Sequence, residues 1–201
     1  DSLAMGAGQF CTNPGLVLGI DGPDLDRFVQ SAAEALERKS AQTMLTAGIH
    51  GAYRSGVETM AATPGVQRVA EGQTASTLHN AAQAALFITD ARTLMEQPAL
   101  SSEVFGPASL VVRAKDADEL IAVAERFGLI GGIGQWVIDE ACRQTQRWDD
   151  QGLRMRVAIN LSAQQLRQDD LVQRVRQSFE AYRVDPALVT FEITETVAME
   201  D

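Results

Sequence analysis

Lysine and cysteine are both scarce: the 201 residues include two Lys, Lys39 and Lys115, and two Cys, Cys11 and Cys142. Two thiols are too few for a disulfide framework and fit a reducing cytoplasm, where a lone thiol can stay reactive. Aromatic residues make up 5%, and no run approaches the roughly 20 apolar residues of a membrane span. No basic-then-apolar leader opens the chain, which begins at Asp1-Ser2-Leu3. Positive charge is short as well. Seventeen Lys+Arg against 27 Asp+Glu give a net −10 and a pI near 4.7, which excludes a basic groove for a nucleic acid polymer or an anionic membrane as the main device. Pro/Ser/Gly linkers, repeats and low-complexity tracts are missing, so any junction between domains runs through continuous secondary structure.

What remains, 45% apolar and 22% charged, is the profile of a soluble globular protein of one or two domains. Usage changes along the chain: after residue 126 every cation is Arg, and both tryptophans, Trp136 and Trp148, lie there. Leu25, Phe28, Val29, Ala32, Ala33 and Leu36 follow the spacing of an amphipathic helix begun at Pro23-Asp24. A second helix is expected over about 45–61, and strands over 85–89 and 108–112. Asp116 and Glu119 form a capping-box pattern for a helix through Leu120, Ile121, Ala124 and Phe127, followed by an interruption from Gly128 to Gly134. A helix from Gln135 to about Trp148, a strand over 155–161, a helix through Leu171, Val172, Val175 and Phe179, and a strand over 188–194 complete the pattern. This order predicts α/β layers.

Two places carry chemistry. In Gly6-Ala7-Gly8-Gln9-Phe10-Cys11-Thr12 a thiol sits among glycines, where a carbonyl substrate and backbone N–H donors can approach the sulfur. A lone Cys also reads as a small buried apolar side chain, and spacing alone favours that reading. Downstream, Asn160 and Glu192 fall near the ends of two strands, where amide and carboxylate oxygens suit a hard cation such as Mg²⁺. Spacing alone reads these two as capping or surface residues. Gly131-Gly132-Ile133-Gly134 reads as a helix-opening turn, since a phosphate loop would need a third glycine and a preceding strand.

Gly8-Gln9-Phe10-Cys11-Thr12-Asn13-Pro14-Gly15 resembles the catalytic-cysteine segment of the aldehyde dehydrogenase superfamily, nearest to bacterial semialdehyde dehydrogenases. Ser102-Glu103-Val104-Phe105-Gly106-Pro107 is similar to that family's E-x-F-G-P motif, and the resemblance covers about residues 1–125. It implies Cys11 as nucleophile, Glu103 and Phe105 as contacts to NAD(P), and an aldehyde as substrate. Ala158-Ile159-Asn160-Leu161-Ser162-Ala163-Gln164-Gln165 and Phe191-Glu192-Ile193-Thr194-Glu195-Thr196 resemble the N-L-S-x-x-Q and E-I-T-E motifs of EAL-type cyclic-di-GMP phosphodiesterases, over about residues 122–201. That resemblance implies Asn160 and Glu192 as Mg²⁺ ligands, Glu195 as a support for the catalytic loop, and hydrolysis of cyclic-di-GMP by metal-activated water.

Both resemblances are partial. The first family's dinucleotide-binding half, general-base Glu and oxyanion Asn belong upstream of its cysteine. The second family's signature Glu-x-Leu belongs upstream of Asn160, and Glu34-Ala35-Leu36 on the first helix is a coincidence of letters. Its paired Asp, catalytic Lys and later Glu belong after Glu195, and Asp149-Asp150 and Asp169-Asp170 read as turn or cap residues. The expected architecture is therefore α/β: a partial aldehyde dehydrogenase catalytic domain (1–125), then an incomplete EAL-type barrel segment (126–201), meeting at the helix around residues 119–126. The expected function is a composite with neither site complete and little turnover in either chemistry. Alternatives are an EAL-type phosphodiesterase or cyclic-di-GMP-binding module, and a non-enzymatic interaction module that self-associates through exposed sheet edges.

Overall fold

A computed structural model describes residues 2–11, 13–75 and 77–193, with residues 163 and 164 by backbone alone. The chain divides into two units, Asp1–Val123 and Ala124–Asp201. The first contains β1 (Leu16–Ile20), α1 (Pro23–Glu37), β2 (Gln42–Thr43), α2 (Ala47–Ala62), β3 (Gln67–Glu71), β4 (Ala81–Ala82), β5 (Ala85–Asp90), α3 (Ala91–Glu96) and β6 (Ala108–Ala114). The point of division lies within α4 (Ala117–Arg126).

A four-stranded sheet of order β1-β6-β5-β3 forms the body of this unit, with β1, β6 and β5 parallel and β3 antiparallel to β5. β6 is buried on both faces from Ala108 to Val112, as a central strand of a covered parallel sheet requires. α1 starts with Pro23 in its first turn and Asp24 and Asp26 beside its positive end. Its apolar stripe, Leu25, Val29 and Leu36, packs on Ala70, Leu86 and Val111 of the sheet. Each such side chain contributes roughly 1.5–3 kcal/mol by leaving water.

The second unit holds α5 (Ile130–Asp150), β7 (Val157–Leu161), α6 (Ala163–Leu166), α7 (Leu171–Tyr182) and β8 (Val189–Ile193). β7 and β8 pair in parallel. Their inner face packs on both long helices around Ile138, Cys142, Ile159, Leu161 and Leu171, with Phe179 stacked on Phe191 at 6.4 Å between ring centres. Mixed α/β architecture with parallel strands is thus what the chain adopts.

Two local features differ from the sequence expectation. α5 begins at Ile130 instead of Gln135, so the glycines lie inside its first turns and only Gly128, at φ +70°, breaks the chain between helices. The Gln165 side chain lies against Gly134 and that of Gln168 against Gly131, where a Cβ would collide with them. At the start of α4, the Asp116 carboxylate accepts from the Glu119 N–H at 2.9 Å, while the Glu119 carboxylate accepts from the Lys115 N–H at 2.7 Å, one residue earlier than a strict capping box. Among the described residues no helix is long and apolar enough to cross a membrane.

Candidate functional site

In the first unit, the backbone leading to Cys11 is held in an uncommon shape. Gly6, Ala7 and Gly8 all have left-handed φ, at +59°, +55° and +66°. For Ala7 this conformation costs of order 1–2 kcal/mol and persists only where surroundings enforce it. Here Ala7 is buried, and its N–H donates to the Gln42 side-chain oxygen at 3.1 Å. The Gln9 side chain adds a second tie, donating to the Gly6 carbonyl at 2.9 Å and accepting from the Leu45 N–H at 3.0 Å. Cys11 follows on the surface, its thiol exposed.

The Cys11 turn and the Glu103–Pro107 segment, far apart in sequence, pack directly on one another. Gly8 touches the Gly106–Pro107 peptide so closely that a Cβ at residue 8 would overlap it. Gly106, at φ +147°, lies against the Tyr53 ring with no room for a Cβ. The Tyr53 hydroxyl donates to the Gln83 carbonyl at 2.5 Å, and burial, aided by Glu71, pushes its phenol up. The Asn13 amide donates to the carbonyls of Gly8 at 3.1 Å and Gly106 at 2.6 Å. Ser109 donates to the Pro14 carbonyl at 2.6 Å, tying the chain after the turn to β6. Of the predicted cofactor contacts, Glu103 is exposed and the Phe105 ring is 46% exposed. Sequence patterns located the two segments; Asn13 as the link between them was missed.

In the second unit, β7 and β8 place Asn160 opposite Glu192 in register, both exposed. Alternation along parallel strands sets them on one face, with Ala158 and Thr190, away from the buried Ile159 and Leu161. The chain leaves β7 through a reciprocal helix cap: the Ser162 N–H donates to the Gln165 side-chain oxygen at 3.0 Å, and the Gln165 N–H donates to the Ser162 hydroxyl at 3.3 Å. The Ser and Gln of N-L-S-x-x-Q therefore fix the end of the strand that carries Asn160. That S-x-x-Q pattern was legible as a cap and was not read as one. Glu195 lies outside the described residues.

The two thiols contrast. Cys142 is fully buried on α5, and burial, with a smaller push from Asp139, raises it to about 11. His50 lies in α2 with its Nε2 3.1 Å from the Ala81 carbonyl. Among the described residues no three His, Cys, Asp or Glu side chains cluster as a metal site. Asn160 and Glu192 fit a hard cation as two oxygen donors of a larger shell. Glu103 and Phe105 fit a dinucleotide only as an acceptor for a ribose hydroxyl and an apolar ring face.

Comparison with known proteins finds two likenesses along the chain, one to semialdehyde dehydrogenases and one to the EAL domain. Residues 109–201 match the family model of the EAL domain. α-Ketoglutaric semialdehyde dehydrogenase 2 of Azospirillum brasilense is 54% identical over 125 residues, 62% of this chain and 24% of that protein. MucR of Pseudomonas aeruginosa, a bifunctional diguanylate cyclase/cyclic di-GMP phosphodiesterase, is 42% identical over 84 residues, 41% of this chain and 12% of that protein. A variant of aldehyde dehydrogenase from Bacillus cereus shares the fold at a TM-score of 0.52 and 12% identity, over 96% of this chain and 33% of that one. The chain thus spans a quarter or less of the length of these two relatives, and it joins a segment similar to semialdehyde dehydrogenases to a segment that matches the EAL domain family.

Proposed function

We propose that the first unit presents Cys11 as a nucleophile toward aldehydes of the semialdehyde class. The observation that carries this reading is the packing of the exposed Cys11 turn on the Glu103–Pro107 segment through Gly8, Gly106 and Asn13. The Cys11 thiol loses its proton to solvent, and the thiolate sulfur adds to the aldehyde carbon. The carbonyl π pair moves to oxygen and takes up a proton, giving a hemithioacetal at the same oxidation level as the aldehyde. Glu103 and Phe105 would hold the ribose and nicotinamide of NAD(P), which supplies a hydride acceptor when bound. The semialdehyde dehydrogenase likeness over 125 residues supports the choice of substrate class.

The test is protection of Cys11 from iodoacetamide by α-ketoglutaric semialdehyde, read by peptide mass spectrometry of the full chain. Saturable protection, at least fivefold at the plateau, is expected, and alkylation unaffected by the aldehyde at any concentration overturns the reading.

For the second unit, the register of Asn160 with Glu192 favours a divalent-cation site that serves cyclic-di-GMP. Asn160 would offer an amide oxygen and Glu192 a carboxylate, and a cation there supplies Lewis-acid polarisation of a phosphate. By the EAL resemblance, Glu195 is proposed as a support for the catalytic loop. Mn²⁺-induced broadening of amide signals centred on residues 160 and 192, abolished by Glu192→Ala, is expected. Broadening spread over the acidic surface and unchanged by that substitution overturns it.

A further inference from the structure

Asn13 is two residues from the thiol and half-buried, and its amide spends both donors on backbone carbonyls of two separate segments. Gly8 lies at the start of the Cys11 turn and Gly106 lies 93 residues from Asn13. The Asn13 N–H donates to the Phe10 carbonyl at 3.0 Å, so the same residue closes the turn that contains Cys11. The Gly106 carbonyl accepts from the Ala108 N–H at 2.8 Å as well, which couples the contact to the first residue of β6. With two carbonyls facing it, only the NH₂ of the amide can occupy this position. The Asn13 side-chain oxygen is buried with no hydrogen-bond partner among the described residues, a feature that space filling alone does not account for.

From this geometry we infer that Asn13 is a positioning residue, a clamp that holds the Cys11 sulfur in fixed relation to the Glu103–Phe105 segment. The inference rests on the reading of Cys11 as the nucleophile. A thiol that adds to a carbonyl gains most when the surrounding groups are already in place, because their ordering is then complete before the substrate arrives. The Gly8–Gly106 contact supplies close approach, and the Asn13 amide supplies direction. Asp has the same shape as Asn and no N–H donors, so its carboxylate would face two carbonyl oxygens and open the contact. Ser keeps one donor.

The experiment uses the full chain and its Asn13→Asp, Asn13→Ala and Asn13→Ser variants at pH 8. Amide hydrogen exchange at residues 13 and 108 reads the clamp. The aldehyde concentration giving half-protection of Cys11 from iodoacetamide, with α-ketoglutaric semialdehyde as probe, reads positioning. Asn13→Asp and Asn13→Ala should each speed exchange at both amides at least fivefold and raise the half-protection concentration at least fivefold. The alkylation rate without aldehyde should stay within twofold, because the thiol is exposed either way. Asn13→Ser should fall between, and it keeps the test open where Asn13→Asp fails to fold. An Asn13→Asp chain that behaves as the parent in either reading overturns the clamp. Absence of aldehyde protection in the parent chain instead overturns the nucleophile reading, and the exchange data then decide the clamp alone.

Discussion

Asn160 of β7 and Glu192 of β8 are register partners on adjacent parallel strands, so an amide oxygen and a carboxylate leave the same exposed face side by side. Neighbouring strands lie roughly 4.8 Å apart, a span one hard cation can bridge with two oxygen ligands. Replacing Glu192 with Gln keeps shape and removes charge. Mn²⁺ affinity should fall at least tenfold in Glu192→Gln, measured by titration calorimetry, while the thermal midpoint of the chain stays within a degree or two.

The two cysteines should separate in a labelling experiment. Cys11 is exposed, and Cys142 is fully buried against Ile138 and Ile159. Reagent reaches Cys142 only through opening of the second unit. Under native conditions Cys11 should react with iodoacetamide at least a hundredfold faster than Cys142, and the two rates should converge in denaturant.

Burial of Cys142 also makes the second unit sensitive to alkali. The folded thiol holds its proton to about 11, above its ordinary value near 9. A group whose folded pKa is raised supports stability below the unfolded pKa and loses that support as pH climbs. Unfolding free energy should therefore drop between pH 9 and 11 by on the order of 2 kcal/mol from this group. The difference between the parent chain and Cys142→Ala in denaturant melts isolates it, and the drop attributable to the thiol vanishes in the variant.

Much of the fold was legible in the sequence where periodicity is strong. α1 follows the 3.6-residue spacing of Leu25, Val29 and Leu36, and β6 is a continuous apolar run because both its faces are covered. β3, Gln67–Glu71, is an edge strand of mostly polar residues whose pairing with β5 lies in the ladder rather than in hydrophobic alternation, so no pattern announced it. The start of α5 was hidden for another reason: its glycines signal a break, yet they serve close packing of Gln165 and Gln168. At the candidate sites, residue types and motifs were readable, whereas contacts between distant segments were not. The Asn13–Gly106 hydrogen bond and the Asn160–Glu192 register exist only once the sheets have formed.

The Gly8–Gly106 approach makes its own prediction. Gly8→Ala places a Cβ against the Gly106–Pro107 peptide at a φ of +66°, adding backbone strain to overlap. A loss of about 2–4 kcal/mol in the first unit should follow, read from denaturant melts.

The Cys11 turn and the Glu103–Pro107 segment should act as one site. Amide chemical shifts of the ¹⁵N-labelled chain, followed as α-ketoglutaric semialdehyde is added, test it most directly. Residues 8–11 and residues 103–106 should move together with one midpoint, and neither should move in Cys11→Ser. Shifts confined to the turn, or shifts that persist without the thiol, would contradict it.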